Sequence, residues 1–253
     1  MTFTPRRRFV SGAPSFLGGS AILSACSRTN DTEGYEAVAR QIWRLGPLAG
    51  LEGLALSKEL VRYATLATSS HNTQCWKFAL DGKGITILPD LSRRTPAVDP
   101  DDHHLFVSPG CAAENLVQAA LSHGLSGEAN LDPASDAIRV TLASTRSQAT
   151  ALFKAIPQRQ CTRGDYDAKP LSNEELRTLE RAGTAGGVSM LLLTERSQME
   201  QMLDHVVQSN TAQMADPAFV KELKAWIRFN GSDAVRTGDG LSSVSSGNPS
   251  IQK

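Results

Sequence analysis

A dense run of hydrogen-bonding side chains, Ser69-Ser70-His71-Asn72-Thr73-Gln74, lies between a predicted helix and a predicted strand. The side-chain amides of Asn72 and Gln74 each carry a donor and an acceptor, which suits the edge of a planar heterocycle such as a flavin pyrimidine ring. Ser69 and Ser70 add two hydroxyl groups to the same loop. An ordinary polar loop with an Asx turn has the same composition. The residues alone leave both interpretations open.

A second group of such side chains is Arg159-Gln160-Cys161-Thr162-Arg163, which follows a predicted helix that ends near Pro157. Arg159 and Arg163 are four residues apart, so they would project to one side of a helical turn. Two guanidinium groups, the Thr162 hydroxyl and the amides at a helix start would together form a phosphate site. A solvated basic turn is the alternative interpretation.

Three histidines raise the possibility of a metal site: His71, His103 and His104. No carboxylate or cysteine lies at helical or zinc-type spacing around them, and adjacent histidines in an Asp-rich loop are usually solvated. The sequence therefore predicts no metal ligand. It also contains no Ser-His-Asp order, phosphate-binding P-loop or Rossmann glycine pattern.

The composition limits the classes of protein to which this chain can belong. The 253 residues include 26 basic and 26 acidic side chains, and 40% are hydrophobic. This balance favours neither nucleic acid nor an anionic surface as a partner. The length allows one large domain or two small ones. With Cys26 set aside, Cys75, Cys111 and Cys161 are odd in number and lack metal-like spacing, so they predict no disulfide framework. One disulfide with one free thiol is the alternative in an oxidising compartment, and the sequence does not choose the pair.

Residues 1–26 have the pattern of an export signal. A positive start at residues 6–8 precedes a weakly apolar stretch that glycine and proline interrupt, and this stretch is too short and broken to span a membrane. Arg6-Arg7 with Phe9 resembles the motif read by the twin-arginine export machinery. Leu23-Ser24-Ala25-Cys26 resembles a lipobox. We therefore expect a protein of the bacterial cell envelope, held on the exported side of the membrane only through a lipid on Cys26; a basic, disordered N-terminus with a chance cysteine is the alternative.

Apolar periodicity predicts the elements that position the two polar segments. Helices are expected over 35–43, from Ser57, and over 110–124, 197–210 and 217–229; strands are expected over 76–80, 85–88 and 138–142. The turn at residues 81–84 joins the first two strands into a hairpin. Helix 110–124 is apolar on most of its circumference, which predicts burial. Residues 91–106 are expected to be a loop, and the chain from Asn230 onward a loop or a frayed tail.

The second part of the chain resembles the first. Residues 57–80 and 172–193 both run from a capped helix through a small-residue loop to a strand. This predicts a signal at 1–26, a tether at 27–33, a first half at 34–145 and a second half at 146–253. No counterpart of helix 110–124 follows in the second half, so we expect that half to be incomplete. The apolar face of the helix should then stay partly exposed and promote self-association; this face comprises Ala113, Leu116, Val117 and Ala120.

Together these segments resemble a known family. ATLATSSHNTQCWKF (64–78) is similar to the A-x-x-A-P-S-S-x-N-x-Q-P-W-x-F stretch of the nitroreductase superfamily of FMN proteins. RQCTR (159–163), followed by Tyr166, resembles that family's R-R-S/T-x-R-x-F motif. GCAAENLVQAALSHGL (110–125) resembles its central dimer-interface helix. The similarity runs from about residue 35 to 240, and it is greatest to the Acg-like branch, in which two nitroreductase-like halves are fused, sometimes behind a twin-arginine signal.

The resemblance implies a fold, a cofactor and a reaction. The fold would be α+β, with a nitroreductase-like mixed sheet flanked by helices and built from two fused half-repeats. In ordinary members FMN lies at a homodimer interface, where one subunit supplies the arginine motif and the other the Ser-Asn-Gln loop; here one chain carries both. The implied FMN ligands are Ser69, Ser70, Asn72, Gln74, Arg159, Thr162 and Arg163.

The implied activity is electron transfer from bound flavin to a small-molecule acceptor of the nitroaromatic or quinone-like type. NAD(P)H is not expected outside the cytoplasmic membrane, so a lipoprotein that binds or sequesters flavin without turnover is the alternative. A solute-binding lipoprotein is a third class. Its usual two-lobed pattern of repeated parallel-strand units is absent from the predicted elements.

Overall fold

The computed structural model describes residues 33–47, 50–161 and 166–243. The predicted export signal with Cys26, and the predicted phosphate ligands Thr162 and Arg163, lie outside these ranges. The elements, in chain order, are α1 (33–42), α2 (Gly53–Ala64), β1 (Trp76–Leu80), β2 (Gly84–Pro89), α3 (His103–Ser122), β3 (Leu125–Asp132), β4 (Ala137–Ser144), α4 (Ala151–Ala155), α5 (Asn173–Gly183), α6 (Arg196–Ala215), α7 (Pro217–Trp226), β5 (Ile227–Arg228), α8 (Gly231–Thr237) and β6 (Leu241–Ser242).

The main sheet has four antiparallel strands in the order β1-β2-β4-β3. The predicted hairpin is confirmed, with Phe78 opposite Ile87 in the β1–β2 pair. Val140 on the central strand β4 lies opposite Ile85 on one side and Ala129 on the other. A short parallel pair, β5 with β6, lies outside this sheet. The predicted α+β class, with a sheet flanked by helices, is confirmed.

The core lies between the sheet, α2 and α3. Tyr63 at the end of α2 is fully buried, and its ring packs 5.0 Å from that of Phe153 on α4. The Tyr63 hydroxyl also accepts a hydrogen bond from the backbone N–H of Gly46, at 2.8 Å. This packing brings the chain before α2, the end of α2 and α4 together, close to the start of the polar loop at 69–74.

Helix α3 begins earlier than the sequence predicts. It starts at His103, so the expected loop over 91–106 is wrong in its last four residues. The sequence pattern missed this start because a proline usually ends a helical pattern, whereas Pro109 lies inside the helix. Pro109 cannot donate to the carbonyl of Leu105. The Cys75 thiol donates to that carbonyl instead, at 3.6 Å. The contact satisfies a carbonyl that the helix itself leaves without a partner.

The expectation that the apolar face of this helix stays exposed is also wrong. Ala113, Leu116 and Ala120 are at most 3% exposed, and Val117 is half-buried. The strands β2, β3 and β4 and the helix α2 of the first half cover α3. The helix therefore needs no counterpart from the second half, and its face gives no reason for self-association.

Between Asn173 and Ala215 both predicted helices form, but the predicted strand does not. The capped helix is confirmed as α5, where Ser172 and Glu175 form a reciprocal capping box. The end of the segment 172–193 forms no strand, although its apolar run predicts one. A strand needs a hydrogen-bonded neighbour, and within the described ranges none lies beside this run. Helices α5 and α6 contain no buried residue.

Residues 231–243, the described part of the chain after Asn230, contain a helix and a strand, which corrects the expected loop or frayed tail there. The Asn230 side chain accepts from the Asp233 N–H at 2.8 Å and so begins α8. Gly238, at φ 67°, ends the helix in the left-handed conformation. This helix has seven residues, too few to show an apolar period. Among the described helices, none combines the length and apolarity that crossing a membrane requires.

Candidate functional site

The polar loop between α2 and β1 has an unusual backbone. His71, Asn72 and Gln74 have φ values of 49°, 51° and 50°, in the left-handed region that non-glycine residues rarely adopt. Short contacts inside the loop hold this conformation: the Gln74 N–H donates to Ser69 Oγ at 3.0 Å, and the Thr73 N–H to the Ser70 carbonyl at 2.9 Å. Strained backbone of this kind is common at binding sites and persists only where the surrounding structure fixes it.

Residues 237–240, which we call the clasp, bind this loop from the far end of the chain. Asn72 Nδ2 donates to the Gly240 carbonyl at 3.1 Å, and the Gly240 N–H donates back to the Asn72 carbonyl at 3.0 Å. Gln74 Nε2 donates to the Gly238 carbonyl at 2.6 Å. The amide donors of two predicted flavin ligands are thus hydrogen-bonded to protein backbone.

An ion-pair network joins the same two segments. Arg93 Nη1 donates to the Thr73 carbonyl at 2.7 Å and to Asp239 at 2.8 Å. Arg228 binds the other oxygen of Asp239 at 2.6 Å. Burial alone would raise the pKa of Asp239, but hydrogen bonds from Arg228 and Arg93 outweigh it and hold that pKa below its usual value. Asp239 is therefore ionised at neutral pH.

A cavity of about 360 Å³ opens where the loop, the hairpin and the clasp meet. Trp76 and Phe78 on β1 line it, with ring centroids 6.5 Å apart, and Gln74 lies beside them. Burial works to raise the pKa of Asp90, but hydrogen bonds from Ser92 and Lys77 lower it more, so this carboxylate is also ionised. The full lining is Thr65, Gln74, Trp76, Phe78, Asp90, Arg93, Thr237, Gly238 and Asp239.

Of the predicted ligands that the structure describes, only Gln74 lines this cavity. Asn72 contacts the clasp, Ser69 closes the loop, and Ser70 begins a short 3₁₀ turn. Arg159 is exposed and follows the short 3₁₀ turn after α4. Its Nη2 donates to the carbonyl of Leu66, just beyond the end of α2, at 3.0 Å. Its guanidinium carbon also lies 5.4 Å from the centroid of the Trp43 ring.

Several lining residues were absent from the sequence-based expectation. Arg93 and Asp239 are 146 positions apart, and each lies in a segment predicted to be an irregular loop. Isolated charges in such segments carry no recognisable pattern. The aromatic pair did leave a signal, because Trp76 and Phe78 alternate along β1 and so share one face of the strand.

The residues that line the cavity fit part of an FMN molecule. A cavity of this volume is at the small end of the range for ligand sites. Two aromatic side chains line it, but Trp76 is only 7% exposed, so they offer a small apolar area to a planar ring. Asp90 and Asp239 are negative and already pair with Arg93, so the cavity itself disfavours a phosphate. The exposed guanidinium of Arg159 has five N–H donors, and one of them donates to the Leu66 carbonyl. The others can donate to a phosphate outside the cavity.

A metal site and thiol chemistry have less support than a flavin site. Within the described ranges, no three His, Cys, Asp or Glu side chains come together as a metal site would require. The rings of His103 and His104 lie 6.0 Å apart in an edge contact. Cys75, Cys111 and Cys161 are free thiols, of which only Cys75 is buried.

Comparison with known proteins finds similarity to two curated proteins. No family model matches the chain. Two curated proteins of Mycobacterium tuberculosis, from strains CDC 1551 / Oshkosh and ATCC 25618 / H37Rv, carry the name "Putative NAD(P)H nitroreductase". Each is 28% identical over 186 residues, which covers 70% of this chain and 52% of the relative. The chain thus spans about half the length of the curated relatives it matches. The similarity is to proteins of that name, and an activity of nitroreductase type is therefore a proposal for this chain.

Proposed function

We propose that this chain is an FMN-binding oxidoreductase that reduces nitroaromatic or quinone-like acceptors. The observation that carries the proposal is the position of Gln74 beside Trp76 and Phe78 in one cavity. An amide next to an aromatic wall is a suitable environment for the polar edge and apolar face of a flavin ring. The names of the two relatives give NAD(P)H as their electron donor. NAD(P)H is not expected on the exported side of the membrane, so an exported form of this chain would need another reductant.

Each part of the site has a role in this proposal. Trp76 and Phe78 would bind the ring, and Gln74, whose Nε2 is engaged by Gly238, would accept a hydrogen bond through Oε1. Arg159, with Thr162 and Arg163, would bind the phosphate. When bound, FMN supplies the redox chemistry, while the protein positions it and sets its electrostatic surroundings.

Comparing FMN with riboflavin tests the phosphate assignment. FMN binding, followed by quenching of flavin fluorescence, should weaken roughly 10–150-fold in Arg159→Ala, because a charge-assisted hydrogen bond to phosphate is lost. Riboflavin binding should not change. Arg146→Ala, at another exposed arginine, is the matched control and should leave both affinities unchanged. Equal affinity of the wild type for FMN and riboflavin would rule out this phosphate site.

Turnover distinguishes an enzyme from a flavin-sequestering protein. The flavin-loaded chain should oxidise NAD(P)H in the presence of a nitroaromatic or a quinone. Tight FMN binding without any such reaction, with chemically reduced flavin also failing to reduce either acceptor, would support sequestration.

We also propose that residues 1–26 direct export and that Cys26 carries the lipid. The basis is the order of the paired arginines and the LSAC sequence. Replacing both Arg6 and Arg7 with lysine should hold the precursor in the cytoplasm, and Cys26→Ala should release soluble protein. Unchanged fractionation of both variants, without incorporation of labelled lipid in the wild type, would contradict the proposal.

A further inference from the structure

Arg93 brings two free N–H donors to the cavity. It lies in the short turn after β2, lines the cavity, and its side chain is 35% exposed. Among the described residues, the printed hydrogen bonds of Arg93 are both made by Nη1. Its Nε lies 3.9 Å from Asp90 Oδ2, which is too long for a hydrogen bond. The edge of the guanidinium that carries Nε and Nη2 is therefore available to a ligand.

The bonds of Nη1 hold this guanidinium in place. Nη1 donates to the Thr73 carbonyl at 2.7 Å and to Asp239 Oδ2 at 2.8 Å. Asp239 is itself fixed by Arg228, whose Nη2 donates to Oδ1 at 2.6 Å. A side chain that is already oriented loses little conformational entropy when it binds a ligand. Arg93 is thus a preorganised donor.

The free edge of Arg93 matches a planar group with two oxygens. The N–H bonds at Nε and Nη2 of an arginine are nearly parallel, so the two donors can bind both oxygens of such a group at once. Arg62 shows this geometry in the same chain: its Nε and Nη2 donate to the two carboxylate oxygens of Glu59, at 2.9 and 2.6 Å. A single carbonyl oxygen, as in a quinone, would leave one of the two donors without a partner.

Charge distinguishes the two groups that have this shape, carboxylate and nitro. Asp90 and Asp239, both ionised at neutral pH, line the cavity on either side of Arg93 in its contacts. An aromatic carboxylate bound at the free edge would come close to Asp90 Oδ2, and like charges at such a distance repel each other. A nitro group has two oxygens and no net charge, so it avoids this repulsion.

We propose that Arg93 is a specificity-determining residue whose Nε and Nη2 donate to the two oxygens of a nitroaromatic acceptor. The site then prefers nitroaromatics to quinone-like acceptors and to aromatic carboxylates. This inference rests on the proposed function, in which the flavin ring lies against Trp76 and Phe78 in the cavity that Arg93 also lines. An acceptor that approaches the ring there comes within reach of Arg93.

A binding experiment tests the fork without turnover. The probes are nitrobenzene and acetophenone, which differ in the number of oxygens. NMR titration of the full chain, with and without FMN, follows the indole N–H of Trp76, assigned with Trp76→Phe. Wild type should bind nitrobenzene roughly 5-fold more tightly, because one more hydrogen bond forms. Arg93→Lys keeps the charge beside Asp239 but has no fork, so it should remove the preference. Arg94→Gln, at the exposed neighbour, is the matched control and should retain it.

Benzoate as a third probe tests the role of charge. It has the same two-oxygen shape as nitrobenzene, and wild type should bind it more weakly. Asp90→Asn should reduce this discrimination, because the nearest negative charge is removed. Circular dichroism verifies that each variant is folded. An unchanged ratio of the two affinities in Asp90→Asn would contradict the electrostatic part of the proposal.

Turnover gives an independent readout. In the flavin-loaded chain, Arg93→Lys should lower kcat/KM for a nitroaromatic roughly 5-fold relative to a quinone, whereas a purely structural role would lower both equally. Wild type that binds no FMN, or reduces neither acceptor, would contradict the proposed function, and the binding experiment would still decide the role of Arg93. Equal wild-type affinities for nitrobenzene and acetophenone, or a preference that survives in Arg93→Lys or disappears in Arg94→Gln, would overturn that role.

Discussion

The side-chain amide of Gln74 donates to the carbonyl of Gly238, 164 residues further along the chain, at 2.6 Å. The bond ties the loop predicted to bind a ligand to the clasp at residues 237–240. Two further bonds between Asn72 and Gly240 join the same segments. The loop that we propose to contact flavin therefore also helps to hold the fold together. A variant in this loop must be tested for stability before a loss of binding is interpreted.

Arg93 should be a larger contributor to stability than its neighbour in sequence, Arg94. Arg93→Gln removes bonds to the Thr73 carbonyl and to Asp239, and we expect it to lower the free energy of unfolding by about 1–2 kcal/mol. Arg94→Gln removes a solvent-exposed pair with Asp102 and should have little effect. Urea denaturation of both variants measures the difference. Equal losses would show that the network around Asp239 does not hold the clasp.

Two glycines of the clasp should differ in their response to alanine. Both have positive φ, 67° at Gly238 and 80° at Gly240, so each substitution strains the backbone by about 1–2 kcal/mol. At Gly240 a Cβ would also lie 2.5 Å from the carbonyl oxygen of Trp226, whereas nothing lies within 4 Å of one at Gly238. Gly240→Ala should therefore destabilise the protein clearly more. Limited proteolysis near the clasp, together with urea denaturation, compares the two; a larger effect at Gly238 would contradict this packing.

His71 should make stability depend on pH below about 6.5. Its Nδ1 is buried without a hydrogen-bond partner among the described residues. Burial lowers the pKa of His71; Glu222 opposes this shift and His104 adds to it. The unfolded chain takes up a proton near pH 6.5 while the folded chain does not, so stability falls as the pH drops from that value towards the lowered pKa.

Measuring the free energy of unfolding at pH 7.5 and at pH 5.5 isolates the effect of His71. Wild type should lose more free energy of unfolding over this interval than His71→Asn, in which the titrating group is absent and the left-handed conformation is tolerated. His205→Asn, at an exposed histidine on α6, is the control and should follow the wild type. Parallel pH profiles of wild type and His71→Asn would contradict the assignment.

Local patterns explain which elements could be predicted. The alternation of Trp76, Phe78 and Leu80, followed by a glycine-containing turn, is a short-range signal, and β1 and β2 form as expected. The apolar run at the end of the segment 172–193 also has the local pattern of a strand. A strand needs a partner, however, and that requirement involves residues far away in sequence. Local pattern alone cannot show whether the partner is present.

The clasp illustrates the same limit at the site. Gly238, Asp239 and Gly240 lie in a polar, glycine-rich stretch, which carries no apolar period to predict its position. Its partners in the loop are more than 160 residues away. The sequence could therefore suggest Asn72 and Gln74 as hydrogen-bonding residues from their chemistry, but it could not show that protein carbonyls already use their donors.

Glu59 should be the acidic group on which the junction of α1 and α2 depends most. It is 6% exposed, and Arg62 binds both of its carboxylate oxygens, at 2.6 and 2.9 Å. Arg44 adds two longer contacts of 3.3 Å. Glu59→Gln leaves the largely buried guanidinium of Arg62 without its counter-charge, so we expect a loss of about 2–4 kcal/mol at pH 7.

The pH dependence of this loss gives a second test of Glu59. The hydrogen bond from Arg62, aided by its charge and that of Arg44, outweighs burial and lowers the pKa of Glu59 below 4.5. A lowered carboxyl pKa stabilises the fold above about pH 4.5, and that stabilisation disappears as the pH falls through the lowered value. The difference between wild type and Glu59→Gln should thus be large at pH 7 and shrink towards pH 3. Glu36→Gln, at the exposed pair with Arg40, is the control and should show a small difference at both pH values. If the Glu59→Gln difference stayed constant across this range, its cost would come from packing and not from the charge on Glu59.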